Sequence, residues 1–565
     1  MNFNRLCKSD GFSVLRRCLC SALLFGLAAH AAGMFAGISY HDDVVCTYDV
    51  GTTHIVGRFT LALLGKITRL PFGGSNYSLP WLNGLVSILL IGLGGWVMSR
   101  SLCLTSRLLQ VLLCGILVTF PVVTGTFAYW FTAPYYMLAL LLACISAVLL
   151  AGSSACPFGF RASDSDLFRF RTFDSDLFGF RASCLRSLCR RQSPSENSRM
   201  RAAGRWLLGI VLAALMIGIY QAYLPVMLTL EVLLLLQKES EGSGSWRGWL
   251  RPLLGTGAAL FLYLILMKAS LSLTGKELYA YRGVDTMGAG SFSYPARIAM
   301  AYRVFFRQDA FLSYRGSDDY QLFMWSMSTV YCVLIALLVL MGTVLVLHRS
   351  RGLAGGRLRM LLLMLLFPLT VNFVFVMTDF DVYDLMLYGQ VMIFVMGLWL
   401  AQQLARSGLQ RVRAQMVTFG LAGALCLLVL YSVLFYIRYD NLCYYKAGRM
   451  QEAAVSYDNV LIARIQSLEG YDPALPVCFL NEFEKDTSYI AADPELETVR
   501  ITPYDGSEII NDYSWVSFMR VHCGYDPQVI EDYGQYEDYV DRTQMPRYPA
   551  KDSIRIVDGV IVVNF

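Results

Sequence analysis

Charge is scarce in this sequence. Only 16% of the 565 residues are Asp, Glu, Lys or Arg, and 56% are hydrophobic. Soluble globular proteins have about 25% charged and 45–50% apolar residues. The sequence also lacks a Gly-rich phosphate loop, a nucleophile elbow and zinc-ligand spacing, and it has only five His. The composition excludes disordered, collagen-like and disulfide-scaffold proteins and favours a membrane protein, and the sequence gives no sign of a nucleotide-binding loop or a zinc site.

Long apolar runs are what the sequence does contain. A membrane-spanning helix needs about 20 mostly apolar residues. By this criterion, eleven spans are predicted, and the chain is expected to be a polytopic α-helical membrane protein. The predicted spans are 18–39, 81–98, 102–121, 133–152, 205–220, 222–237, 252–271, 324–347, 358–377, 385–403 and 415–437.

The distribution of Lys and Arg predicts the orientation. Residues 205–237 are interpreted as a hairpin, because every strongly basic loop then faces the cytoplasm, as the positive-inside rule requires. The opposite loops 122–132 and 378–384 contain no Lys or Arg. The N-terminus is then cytoplasmic and the C-terminus extracytoplasmic. The first span has features of a cleavable signal peptide, but ten spans follow it, so an uncleaved anchor is preferred.

Two parts of the chain differ in charge. Residues 438–565, called the tail below, contain 22 acidic and 11 basic residues, whereas residues 1–437 are basic. The tail is predicted to be a small extracytoplasmic α+β domain with a helix at 450–468, a β-rich run at 477–480 and a terminal hairpin turning at Asp558-Gly559. Its acidic, Tyr-rich surface suits either contact with a carbohydrate or a lid that only stabilises the body.

A period-ten repeat lies in the predicted cytoplasmic loop 153–204. Its many Arg residues suit a protein partner or anionic lipid, but a short repeat in a surface loop is more typical of a tolerated insertion.

Candidate chemistry begins directly after the first span, in the predicted external loop 40–80. There the sequence reads Tyr40-His41-Asp42-Asp43. Two adjacent carboxylates at the end of a helix favour a general base, because repulsion between them raises the pKa of one. The alternative is an acidic pair that only ends the helix at the membrane boundary, and the residues alone do not decide between the two.

Cations follow on the same predicted face. Residues 54–64 have apolar residues at helical spacing and are predicted to form an amphipathic interfacial helix that carries Arg58. Arg58 suits a phosphate of the substrate or simply a lipid phosphate. The predicted external loop 272–323 has six cations, Arg282 among them, and Lys268 is placed to extend to the same surface.

The short loop 378–384 contains three carboxylates, including Asp379 and Asp381. They suit a sugar, a cation or the avoidance of lipid. No His accompanies them, and hard cations need more oxygen ligands. A sugar-binding or structural role is therefore preferred to a metal site.

Together these motifs resemble the polytopic bacterial glucosyltransferase-II-type family, which includes O-antigen glucosyltransferases. The order and spacing of the motifs are more specific than any one of them, and the resemblance covers the chain except the 153–204 insertion. The elements that carry it are Tyr40-His41-Asp42-Asp43, Gly57-Arg58-Phe59, Tyr220-Gln221-Ala222, the run from Tyr281 to Gly288, the run from Asp384 to Tyr388, and Met545-Pro546-Arg547-Tyr548-Pro549.

The resemblance implies a GT-C-like glycosyltransferase fold and an extracytoplasmic reaction in the bacterial inner membrane. The donor would be a polyprenyl-phosphate-linked sugar, glucose by the likeness, and the acceptor a cell-surface glycan. Asp42 or Asp43 would be the general base, and Arg58, Lys268 and Arg282 would stabilise the leaving phosphate. The other residues expected to bind substrate are His41, Tyr220, Gln221, Asp285, Asp379 and Asp381. No metal, other cofactor or nucleic acid is expected.

The main alternative is a flippase or transporter of lipid-linked sugars. A transporter is expected to have ionisable residues at the membrane midplane. The predicted spans are nearly free of charge, with Glu231 the main exception, so an enzyme is preferred. A non-catalytic scaffold is a third possibility.

Overall fold

A computed structural model describes residues 10–45, 50–72, 79–152, 196–279, 292–307, 326–349, 355–378, 382, 384–406, 412–480, 496, 499, 509–511, 513–530 and 533–565. The repeat at 153–195 and the candidate residues Arg282, Asp285, Asp379 and Asp381 lie outside these ranges.

Helices dominate the described residues. The long ones are α1 (Asp10–Phe35), α5 (Pro80–Ser101), α6 (Arg107–Thr119), α8 (Ala133–Ala151), α9 (Glu196–Ile219), α10 (Leu224–Ser240), α11 (Trp246–Thr274), α12 (Tyr294–Arg307), α13 (Met327–Arg349), α14 (Gly356–Val371), α16 (Met392–Ala405) and α17 (Val412–Gln466). The shorter ones are α2 (His41–Val45), α3 (Val50–Ile55), α4 (Phe59–Arg69), α7 (Val122–Phe127), α15 (Val374–Met377), α18 (Trp515–Phe518) and α19 (Gly534–Thr543).

A helix overlaps each of the eleven predicted spans, although four of these helices have 17 residues or fewer, and α12 is an additional helix. Seven of the helices within the described ranges are long and apolar enough to cross a membrane, and α6 is a shorter apolar helix. Large apolar side chains on their outer faces are exposed, such as Leu253, Phe261 and Leu427. Lipid rather than water suits such faces, so the chain is a polytopic helical membrane protein.

The break within 205–237 lies where the charge argument requires it. Helix α9 ends at Ile219, a 3₁₀ turn covers Gln221–Tyr223, and α10 begins at Leu224. Helix α9 also begins at Glu196, so the end of the predicted loop 153–204 is helical.

One prediction about the first loop is wrong. Residues 54–64 do not form one amphipathic helix, because α3 ends at Ile55 and α4 begins at Phe59. Gly57 lies between them with φ of +73°. This left-handed conformation favours glycine and interrupts a right-handed helix.

Helix α17 connects the membrane body to the tail. It has 55 residues and is about 80 Å long, much longer than the roughly 30 Å hydrocarbon core. It packs against α1, α6 and α16 and continues through residue 437 without interruption. The helix expected at 450–468 is therefore the C-terminal part of α17.

The end of the tail forms a three-stranded sheet. Strands β1 (Val477–Leu480), β2 (Ile554–Val557) and β3 (Val560–Asn564) have the order β1-β3-β2. Strand β1 is parallel to β3, and β2 and β3 form the predicted antiparallel hairpin. Asp558 and Gly559 both have positive φ in its turn, as a tight two-residue hairpin loop requires. Apolar clusters of the tail pack on both faces of the sheet.

Candidate active site

The start of the first loop is fixed by α17. The backbone N–H of Ser39 donates to the side-chain oxygen of Gln451 at 2.8 Å, and the Gln451 amide donates to the Gly37 carbonyl at 3.0 Å. Tyr40 is buried beside this contact. The short helix α2, which begins at His41, is therefore held directly above the end of α1.

The two adjacent carboxylates of α2 have different surroundings. Asp43 is 4% exposed, and its Oδ1 accepts the backbone N–H of Phe131 at 3.2 Å. Asp42 is half-buried, and the hydroxyl of Tyr513 in the tail donates to its Oδ1. Asp43 thus holds α2 to the helical body, whereas Asp42 lies at the junction with the tail.

Arg58 contacts two tyrosines that stack on each other. Its Nη1 donates to the hydroxyl of Tyr136 at 3.3 Å, and its guanidinium lies 4.9 Å from the ring centroid of Tyr220. The two rings are 4.5 Å apart and nearly parallel. A guanidinium over an aromatic ring is stabilised by the ring quadrupole. The two tyrosines thereby orient the Arg58 side chain.

The turn before Arg58 is held by Gln221 and Tyr263. The Gln221 amide donates to the Val56 carbonyl at 3.2 Å and to the Tyr263 hydroxyl at 3.1 Å, and this hydroxyl donates to the Gly57 carbonyl at 3.3 Å. A Cβ on Gly57 would lie 2.5 Å from the same hydroxyl. Gln221 therefore acts on Arg58 through the backbone of the turn.

Further positive charge surrounds His54. Its Nδ1 is 2.6 Å from the hydroxyl of Ser270 on α11. Burial and the nearby Lys66 and Lys276 lower the pKa of His54 below its usual value. The backbone N–H of Tyr279 donates to the Ile55 carbonyl at 3.0 Å, which holds the segment containing Lys276 against α3. This face of the loop suits an anion.

One segment connects the carboxylates to the guanidinium. Phe131, which bonds Asp43, and Tyr136, which bonds Arg58, lie five residues apart between the end of α7 and the first turn of α8. Five residues span at most about 18 Å. The predicted acid and the predicted phosphate ligand therefore occupy the same end of the helical body.

The remaining predicted residues are placed as follows. The ring of His41 lies near those of Tyr129 and Tyr513, with centroid distances of 6.1 and 6.0 Å. Lys268 is exposed on α11, one residue after Met267, which approaches Gly57.

Three residues that organise the site have no recognisable signal in the sequence. Tyr136 belongs to a Tyr pair at the end of a span, where aromatic residues are common in any membrane protein. Tyr263 lies within an apolar run, and Tyr513 is one of many tyrosines in the tail. Only the tertiary contacts distinguish them.

The described part of the chain contains no cluster of side chains suited to a metal ion. No group of three or more His, Cys, Asp or Glu residues there could hold a metal ion.

A helical body with exposed apolar faces defines a membrane protein, and the acids and cations described above lie at one end of it. Comparison with known families identifies it further. The glucosyl transferase GtrII family matches residues 31–394, well over half of the chain, and the protein belongs to this family. No curated protein and no solved structure matches the chain.

Proposed function

We propose that the protein transfers a sugar from a polyprenyl phosphate to a cell-surface glycan, and that this sugar is glucose, as the name of its family indicates. The observation that carries the proposal is the attachment of Asp43 and Arg58 to one short segment at one end of the body. A carboxylate pair and an oriented guanidinium provide the two groups that displacement of a phosphate requires, a base and a stabiliser of the leaving anion.

Asp42 is our candidate for the base. A base must be reached by the acceptor hydroxyl, and Asp42 is half-buried, whereas Asp43 is almost fully buried and accepts a backbone N–H. Tyr513 bonds one oxygen of Asp42, and a carboxylate has a second oxygen to accept a proton. Asp43 would then position the loop.

The reaction follows from these roles. Asp42 removes the proton from an acceptor hydroxyl while the oxygen of that hydroxyl attacks C1 of the donor sugar. The bond between C1 and the phosphate oxygen breaks, the configuration at C1 inverts, and the polyprenyl phosphate leaves with the electron pair. Arg58 stabilises the new negative charge, with Lys268 and Arg282 as further candidates from the sequence. General-base assistance contributes about 10²- to 10⁴-fold.

The membrane arrangement is part of the proposal. Residues 1–437 would form a GT-C-like body of eleven spans with a cytoplasmic N-terminus, and residues 438–565 an extracytoplasmic domain. The location would be the inner membrane of a bacterium. The absence of Lys and Arg from loops 122–132 and 378–384 supports this orientation.

A transporter is the runner-up, but no observation favours it. Glu231, the main charge within the predicted spans, accepts hydrogen bonds from the Thr256 hydroxyl at 3.2 and 3.3 Å. This contact joins α10 to α11 and accounts for the residue structurally.

Transfer of labelled glucose from polyprenyl-phosphate-glucose tests the proposal. Membranes containing wild type, Asp42→Asn, Asp43→Asn or the surface control Asp526→Asn are compared at equal protein level. We expect Asp42→Asn to lower kcat at least 100-fold with normal folding. Asp43→Asn should lower the unfolding temperature as well, and the control should resemble wild type. Equal transfer by Asp42→Asn and wild type would remove Asp42 from the mechanism.

A further inference from the structure

A small apolar contact joins the tail to the first loop. Phe518 of α18 is fully buried against Val44 of α2 and Ala454 of α17. Helix α18 therefore packs on the helix that carries Asp42 and Asp43.

Tyr513, which lies two residues before α18, is held in place by its neighbours. Tyr513 belongs to a turn in which the Asn511 N–H donates to the Ser514 hydroxyl at 3.0 Å, and Ser514 is fully buried. The indole N–H of Trp515 donates to Asp458 of α17 at 2.9 Å. The same indole packs against Phe479 of β1, with a centroid distance of 4.7 Å. The position of Tyr513 thus follows from the anchoring of the turn on α17 and the sheet.

The side chain of Tyr513 has a hydrogen-bonded hydroxyl and a largely exposed aromatic ring. The hydroxyl donates to Asp42, yet the residue is 60% exposed. The centroid of the His41 ring lies 6.0 Å from that of Tyr513 and 6.1 Å from that of Tyr129. Two tyrosine rings therefore lie near His41, the neighbour of the candidate base, and each of the three rings has an apolar face and a polar edge.

We infer that the tail supplies the acceptor side of the active site through Tyr513. Its ring, with those of His41 and Tyr129, binds a sugar ring of the acceptor glycan, and its hydroxyl positions Asp42. A sugar offers C–H groups to an aromatic face and hydroxyls to the nearby carboxylate, so the acceptor hydroxyl reaches Asp42. This inference rests on the proposed function and gives the tail a binding role rather than that of a lid.

Two substitutions separate the ring from the hydroxyl. Tyr513→Phe keeps the ring and removes the bond to Asp42, whereas Tyr513→Ala removes both. Tyr533→Ala is the matched control, because Tyr533 is a partly exposed tail tyrosine at the start of α19. The substrates are labelled polyprenyl-phosphate-glucose and the lipid-linked surface polysaccharide extracted from the host strain. Glucose release to water without acceptor reports on the donor side alone.

The expected result is a split between KM and kcat. Tyr513→Ala should raise the KM for the polysaccharide about 3- to 10-fold, the size of one aromatic stacking contact. It should also lower kcat as much as Tyr513→Phe does, and glucose release to water should fall by no more than this loss of kcat. Tyr513→Phe should keep this KM within about two-fold and lower kcat about ten-fold, because the base loses its orientation.

Different results overturn different statements. If wild type transfers glucose and Tyr513→Ala matches Tyr533→Ala in both constants, the tail does not bind the acceptor and the inference is wrong, while the proposed function stands. If Tyr513→Ala does not fold, Tyr513→Leu replaces it, because leucine keeps much of the bulk without an aromatic face, and an unchanged KM in that variant would remove the binding role. An unchanged kcat in Tyr513→Phe would remove the positioning role. If wild type neither transfers nor releases glucose, the proposed function fails and the inference fails with it.

Discussion

Replacement of Gly57 by Ala tests whether the turn before Arg58 is as tightly packed as the structure indicates. The added Cβ would meet the Tyr263 hydroxyl at 2.5 Å, the Met267 sulfur at 3.2 Å and the Gln221 amide nitrogen at 3.3 Å. The φ of +73° adds backbone strain. Left-handed conformation costs a non-glycine residue about 1–2 kcal/mol, and overpacking costs about 1–3 kcal/mol. The expected total is about 2–5 kcal/mol.

Gly275→Ala is the matched control. Gly275 ends α11 with φ of +65°, but a Cβ there would meet no atom within 4 Å. Its expected cost is therefore the backbone strain alone, about 1–2 kcal/mol. The apparent unfolding temperature in detergent and the rate of glucose transfer are measured for both variants. Gly57→Ala should also lower transfer about 10- to 100-fold, because it displaces Arg58, whereas Gly275→Ala should stay near wild type.

A double variant gives the decisive result. Tyr263→Phe alone removes hydrogen bonds to the Gly57 carbonyl and Gln221 and should destabilise the protein by about 1 kcal/mol for each. In the Gly57→Ala protein the same change removes the nearest clashing atom, so the double variant should be more stable than the sum of the single effects predicts. Strict additivity, or equal behaviour of Gly57→Ala and Gly275→Ala, would refute the packing argument.

Three further predictions concern charge. Arg58→Lys keeps the positive charge but loses the planar stacking on Tyr220 and the bond to Tyr136, so transfer should fall about ten-fold; an unchanged rate would show that orientation is unimportant. Because burial, Lys66 and Lys276 lower the pKa of His54, the folded protein binds a proton less readily than the unfolded chain. The free energy of unfolding is therefore not reduced by His54 above about pH 6.5, and it declines at lower pH as the unfolded chain binds the proton more readily. The unfolding temperature of wild type should therefore fall more steeply from pH 7 to pH 5 than that of His54→Gln, and parallel curves would contradict the assignment. Excess EDTA should leave transfer unchanged, because side-chain cations stabilise the leaving phosphate; a loss that Mg²⁺ or Mn²⁺ restores would contradict this.

The membrane helices could be predicted from the sequence because lipid imposes a simple rule. Apolar runs of about 20 residues and the distribution of Arg and Lys give the positions of the helices and the break at Gln221. Strand β1 and the β2–β3 hairpin could also be predicted, since Asp558-Gly559 is a strong local turn signal. The continuity of α17 into the tail could not, because a polar helical stretch after a span has no local mark of where the membrane ends.

The candidate site could be predicted only in part. Asp42, Asp43 and Arg58 attract attention as charges next to apolar runs. The break between α3 and α4 was missed, because apolar periodicity continues across Gly57, and its left-handed conformation depends on partners at Gln221 and Tyr263. Such partners lie more than 160 residues away in the sequence, and no local pattern identifies them.

The Asp pair shows how far sequence reasoning extends toward mechanism. Two adjacent residues of a helix point about 100° apart, so Asp42 and Asp43 cannot both face one substrate in the same way. The sequence does not reveal which direction faces the body. In the structure, Asp43 turns to the Phe131 N–H and Asp42 to Tyr513, about 470 residues further along the chain. If the tail binds the acceptor, the acid on its side is the one that meets the acceptor hydroxyl. The expected loss of kcat in Asp42→Asn and the expected loss of stability in Asp43→Asn therefore both follow from the angle of about 100° between the two side chains. The opposite pattern would reverse the roles of the two acids.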